Sequence, residues 1–224
     1  MFVFPDTFLK SLMSSFSTFL SSLTLILCTI SAAERAVNVN INAISEDINK
    51  LIEEKSPLAF SSNPYDYIKN NESFDNIVAI GADALPIIKK KIAESENNGL
   101  REYILAIAAE KIAKVDLKGD NFGWDTAKGW EKKWNKHLKD LPNNYKNIIE
   151  SKASTEDKSI QISKLGTPAI PLILDDIEEG NTSLVPALQK LVECDISSVK
   201  DFKEWAKSNK SKYQNLRDIV DSAQ

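Results

Sequence analysis

Apolar residues recur along this chain at helical spacing. Ile41, Ile44, Ile48, Leu51 and Ile52 fall at i, i+3, i+7, i+10 and i+11, with Asn, Ser, Glu, Asp and Lys between them, which predicts an amphipathic first helix. The breaker-rich stretch from Ser56-Pro57 to Asn63-Pro64 ends it, and Asn63 before Pro64 predicts an N-cap with Pro at N1 for a short helix carrying Tyr65, Tyr67 and Ile68. An internal duplication follows, and internal repeats decide the architecture before any local reading does. At an offset of 85, Ile77, Gly81, Ala84, Pro86, Ile88 and Ile92 meet Ile162, Gly166, Ala169, Pro171, Ile173 and Ile177 as identities. One residue is then lost, and at an offset of 84 Leu100, Ile104, Ile107 and Ile112 meet Leu184, Leu188, Leu191 and Ile196. Each copy reads as a helix, a corner at the Gly, a second helix, a polar turn and a third helix. Pro168 and Pro171 fit one helix only near its first turn, so that helix starts near Thr167. Ser154 or Thr155 caps the helix before it, with Asp157 completing a capping box. Asn98-Gly99 and Gly180-Asn181 are the turns, with Asn98 and Asn181 as caps.

The pattern I-x-x-I/L-G-x-x-A-L/I-P-x-I followed by an apolar-periodic arm resembles HEAT-like α-solenoid repeats. The resemblance covers Phe74 to Val115 and Thr155 to Ile196, 84 of 224 residues. It implies antiparallel helix pairs stacked into a curved array that binds partners on its surface. The family also includes rare nucleic-acid enzymes, but no motif here carries their chemistry over. The departure is the spacing, about twice the roughly 40–47 residues of one repeat, because another element is inserted between the copies.

That insert carries Trp130, Trp134, Leu138 and Leu141 as a helical stripe before Pro142, then Tyr145 and Ile148; Phe202, Trp205, Tyr213 and Leu216 follow the second copy. Each copy is thus expected to be followed by a Trp-bearing and a Tyr-bearing helix, the last pair capping the array. The predicted fold class is all-α: a HEAT-like helical-repeat array of two helix-pair copies interleaved with Trp-bearing helices over 63–224, preceded by an amphipathic helix and linker over 34–62.

The candidate partner-binding residues are Trp124, Trp130, Trp134, Lys132, Lys136, Tyr145 and Trp205. A large flat aromatic face with one polar handle stacks on sugar rings or anchors a protein partner at little entropic cost. The competing reading of Trp130 and Trp134, at i and i+4, is the buried stripe of one helix. Trp124 lies off that stripe beside Gly119 and Gly123 and is expected to be exposed. Between Thr126 and Lys146 six lysines stand against Glu131 and Asp140, a basic face for anionic wall polymer or lipid headgroups, or simply a solvated helix side. Asp175, Asp176, Glu178 and Glu179 form an acidic run expected to be solvated.

Composition narrows the functions. With 42% hydrophobic and 27% charged residues, the chain is of ordinary globular type, and only 7 Gly and 8 Pro favour long helices over a turn-rich sandwich. A net charge of −4 supplies no basic field for nucleic acid. One His and two Cys leave almost nothing for a zinc site or a Ser/His/Asp triad, and no Walker loop, G-x-S-x-G, H-E-x-x-H or EF-hand motif is present. His137 reads as a helix-surface or cap residue, and Cys194 as a buried apolar one. The expectation is a noncatalytic interaction module with no cofactor or metal, whose partner is another protein. The alternative is wall polymer or glycan, and a second is a hydrolase built from dispersed Asp, Glu and His137.

No charged residue separates Lys10 from Glu34, and Ser31 and Ala33 hold the small −3 and −1 positions of a cleavage site. Residues 1–33 therefore read as a secretory signal cleaved near Ala33 or as an N-terminal membrane anchor. Either places the rest at the cell surface or beyond, with membrane contact only through that segment.

Overall fold

The computed structural model describes residues 32–119 and 123–224, and among these every regular element is helical. Residues 1–31 of the predicted secretory or anchor segment lie outside the described residues, and its last two positions belong to the first helix. Among the described residues no helix is long and apolar enough to cross a membrane.

Helix α1 covers 32–53 and buries Val37, Ile41 and Ile44, but the predicted stripe fades toward its end, where Ile48 and Leu51 are half-buried and Ile52 is 58% exposed. It crosses α3 (Glu72–Ile80) in antiparallel sense, with Asn71 bonded to Asp47 and Asn76 to Asn40. Between them, Asn63 caps the short α2 (Pro64–Ile68) by accepting from the Tyr65 amide, with Pro64 at the start as predicted. Gly81 takes φ 73° to turn the chain through a 3-10 turn into α4 (Ala84–Glu94), and α5 (Leu100–Ala113) packs back on both α3 and α4. Helix α5 is apolar on most sides, from Ile104 to Ala109 and again at Ile112 and Ala113, as a central helix must be. Its Ala-rich sequence lets neighbours approach closely.

Helix α6 (Ala127–Glu150) spans 24 residues and lies against α4 and α5. It runs unbroken through Pro142, so Trp130 and Tyr145 share one helix and the separate Trp-bearing and Tyr-bearing helices expected after the first copy are not found. The physical reason lies far along the chain. Pro142 has no N–H for the Leu138 carbonyl, and that carbonyl accepts instead from Gln224 Nε2 at 3.3 Å. A tertiary bond thus replaces the missing helical one.

Ser154 caps α7 (Thr155–Ser163) by accepting from the Asp157 amide, as expected. Gly166, at φ 80°, turns the chain into Thr167–Ala169 and α8 (Ile170–Glu178), which begins where Pro168 and Pro171 require. Helix α9 (Val185–Leu191) stops at extended Val192, so Ile196 is buried outside any helix and Cys194 is exposed. The expectation of a buried Cys194 is corrected, because the early end of α9 removes the helical register that would have turned it inward. Of the two predicted Asn caps, Asn181 makes no side-chain bond to the following amides, and Asn98 turns its side chain to the Lys128 amide.

Helix α10 (Phe202–Asn209) packs on α8, and α11 (Gln214–Asp221) reaches both halves of the chain. Its Asn215 bonds Asp83 at 2.5 Å, and its Arg217 pairs with Asp175 at 2.6 Å. Lys210 also pairs with Asp175, at 2.8 Å, and with Glu178. Within the acidic run Asp175 and Glu178 therefore tie α8 to the C-terminal segment and Asp176 accepts from Tyr145 of α6, while Glu179 is exposed as expected. Burial alone would raise the Asp175 pKa, but hydrogen bonds from Lys210 and Arg217 outweigh it and hold the carboxyl below its ordinary value.

Candidate binding groove

Most of the aromatics singled out in the sequence are core. Trp130 and Trp134 are 0% and 1% exposed and stack at 5.7 Å between centroids, which makes them the buried stripe. Tyr145 is buried, its hydroxyl donating to Asp176 at 2.8 Å. Trp205 is half-buried against the core. Lys132 and Lys136 lie exposed on the opposite side of α6, Lys136 paired with Asp140 at 2.6 Å. Trp124 is corrected outright: it is 3% exposed. The reason is a partner for its one polar atom, since Nε1 donates to Glu110 Oε1 at 2.6 Å.

His137 is half-buried. It stacks on Trp134 and donates from Nε2 to the Leu165 carbonyl at 3.0 Å, so it ties mid-α6 to the loop after α7 and is neither a surface residue nor a helix cap. Burial lowers its pKa from the ordinary 6.5. The unfolded chain therefore binds a proton that the folded chain refuses. Stability is expected to be full above pH 6.5 and to fall as pH drops from 6.5 to the lowered folded value. Urea midpoints from pH 7.5 to 5 should show this slope in the wild type and a shallower one in His137→Gln; equal slopes would refute it.

Around Trp124 a site assembles that no single stretch of sequence announces. On α5, Tyr103, Ile107, Glu110 and Lys111 fall on one side, with Ile107 buried beneath the others, and α2 lays Pro64, Tyr65 and Ile68 beside it. The helix ends at Lys114, which adopts φ 52°. Asp116 Oδ1 then accepts from the Lys118 and Gly119 amides, both at 3.1 Å, in a tight turn that presents Lys118. Gly123 passes so close to the Lys118 carbonyl that a Cβ there would overlap it, and this close approach brings Trp124 under the turn. Tyr103 and Trp124 meet at 4.5 Å. Lys118 Nζ donates to the Tyr103 hydroxyl and stands 5.1, 5.0 and 6.0 Å from the ring centroids of Tyr103, Trp124 and Tyr65.

The charges in this cluster are perturbed in a legible way. The bond to Tyr103 raises the Lys118 pKa against the opposing effect of burial. Burial raises the Glu110 pKa despite the bonds it accepts from Trp124 and from the Leu117 amide at 3.3 Å. Among the described residues no carboxylate stands at ion-pair distance from the Lys118 ammonium.

Two open clefts lie along this part of the surface. One, of about 510 Å³, is lined by Ser62, Pro64, Asn98, Tyr103, Lys118 and Trp124. The other, of about 470 Å³, is lined by Tyr65, Ile68, Phe74, Ile107, Glu110 and Lys111. Tyr65 itself is 48% exposed, and Phe60, just before α2, is 80% exposed. Large exposed aromatics beside concave surface with fixed polar groups suit recognition of a partner. The sequence reading missed Tyr65, Tyr103, Glu110 and Lys118; the local sign was the turn signature from Asp116 to Gly119 just before Trp124. Among the described residues, no group of three His, Cys, Asp or Glu side chains is arranged to hold a metal ion. No protein-family model, curated protein or solved structure matches the chain.

Proposed function

We propose that this protein is a noncatalytic interaction module built on two HEAT-like helical units, α3–α5 and α7–α9, which binds another protein along the clefts beside Tyr65. The observation that carries the reading is the cleft where half-buried Tyr103 and Lys118, hydrogen-bonded to each other, meet buried Trp124, with the exposed ring of Tyr65 on the other side of Lys118. Support for related units comes from the corners. Gly81 and Gly166 adopt φ/ψ of 73°/−145° and 80°/−174°, each after a nine-residue helix and before a 3-10 turn leading into a Pro-bearing helix. Export through residues 1–33, as a signal or an anchor, completes the proposal and would place the clefts outside the cytoplasm.

The glycan reading now lacks its stacking platform, since Trp124, Trp130 and Trp134 are buried, and retains only the exposed lysines of α6. The hydrolase reading finds His137 engaged with Leu165 and Trp134. The test is affinity capture from a surface extract of the native organism with the full chain, a Tyr65→Ala, Phe60→Ala variant and a Lys132→Ala, Lys136→Ala variant. One protein retained by the lysine variant and lost from the aromatic variant is the expected result. Retention of that protein by both variants would sink the proposed face, and recovery of wall polymer lost only from the lysine variant would transfer function to α6.

A further inference from the structure

Among the described residues Lys118 is an ammonium held in place with no carboxylate at ion-pair distance, and its environment narrows what can complete it. Three rings and the Tyr103 hydroxyl fix its position, and Tyr103 takes one of its three N–H donors. Glu110 spends its Oε1 on Trp124 and on the Leu117 amide. The cleft beside it has an apolar wall in Pro64, Leu100, Tyr103 and Trp124, and Asp125 stands on its rim. At the start of α5 the Gly99 amide donates to Glu102 Oε2 at 3.1 Å and Asn98 is turned to Lys128, so Lys118 is the donor left facing the cleft.

Resting on the reading of this surface as the partner-binding face, we propose that the partner seats a single carboxylate, carried on an aromatic or apolar body, against Lys118 in the cleft lined by Pro64, Tyr103 and Trp124. An organic cation is excluded by its need to displace Lys118 from the three rings or to sit beside it, where like charges repel. A multiply charged inorganic anion is disfavoured by Asp125 on the rim and makes no use of the apolar wall, whereas one carboxylate matches one ammonium and leaves its body for that wall.

The experiment titrates the full chain with benzoate, benzyl alcohol, benzylammonium and inorganic phosphate while following backbone amide resonances. Benzoate is expected to shift Leu100, Tyr103 and Lys118 saturably and to bind more tightly than the other three. Lys118→Gln should weaken benzoate about tenfold or more, as loss of a charge-assisted hydrogen bond does, and Lys118→Arg should restore most of it. An unchanged circular dichroism spectrum shows that both variants are folded. Preference for phosphate or benzylammonium, equal binding of benzoate by wild type and Lys118→Gln, or no benzoate shift at these residues would each overturn the carboxylate. Benzyl alcohol binding as tightly as benzoate at the same residues would overturn it too, yet leave the partner-binding face standing. That face fails separately, by the capture comparison with Tyr65→Ala, Phe60→Ala.

Discussion

Trp130→Ala is expected to cost about 3–5 kcal/mol, the usual range for emptying a buried Trp site, while Trp130→Phe should change stability by less than about 1 kcal/mol. The contrast comes from one atom. Trp130 is fully buried and stacked on Trp134, so truncation to Ala removes an entire ring from the contact between α6 and the helices beneath it. Its indole N–H, however, finds no acceptor among the described residues. An unpaired buried donor carries a desolvation cost of about 1–3 kcal/mol, and Phe removes that donor along with part of the ring volume. The smaller ring leaves a cavity whose cost is of about the same size, so the two terms offset. Urea denaturation of both variants by tryptophan fluorescence and circular dichroism is the measurement. A Phe variant as unstable as the Ala variant would mean that the full indole shape, or a partner for its N–H, is required.

Trp130 also marks the boundary of what the sequence made legible. Its i, i+4, i+8 and i+11 relation to Trp134, Leu138 and Leu141 is a local periodicity, and a local periodicity survives into the fold because one helix face must be buried somewhere. The caps at Asn63 and Ser154 and the helix start near Thr167 were readable for the same reason: the bonds involved run over two or three residues. Where the sequence misled, the deciding interaction was remote. Pro142 reads as a breaker until Gln224 supplies the donor for Leu138. Trp124 reads as exposed until Glu110 accepts its N–H from across the loop. Tyr65, Tyr103 and Lys118 are unremarkable singly; α2, α5 and the turn at Asp116 make them neighbours, and no spacing rule connects those positions.

The two corner glycines offer the sharpest test of how the halves of the chain meet. Both occupy a region of positive φ with ψ near ±150–180° that is essentially restricted to glycine, so alanine at either carries a backbone penalty of about 1–3 kcal/mol. Their surroundings differ. At Gly81 an added Cβ meets nothing within 4 Å, whereas at Gly166 it would come closer than 3.0 Å to the Ala113 carbonyl oxygen and to Val115 Cγ1. Backbone cannot step aside as the end of a flexible side chain can, so overpacking adds about 1–3 kcal/mol more at Gly166. Gly166→Ala is therefore expected to lower Tm by roughly twice as much as Gly81→Ala, at about 2–4 °C per kcal/mol for a chain of this size. The Val115→Ala, Gly166→Ala double variant should recover only the side-chain part of the loss, because the Ala113 carbonyl remains. Equal effects at the two glycines would mean that the end of α5 does not press on the second corner. A larger effect at Gly166 would place the junction of the two halves at the contact between the end of α5 and the turn that opens α8.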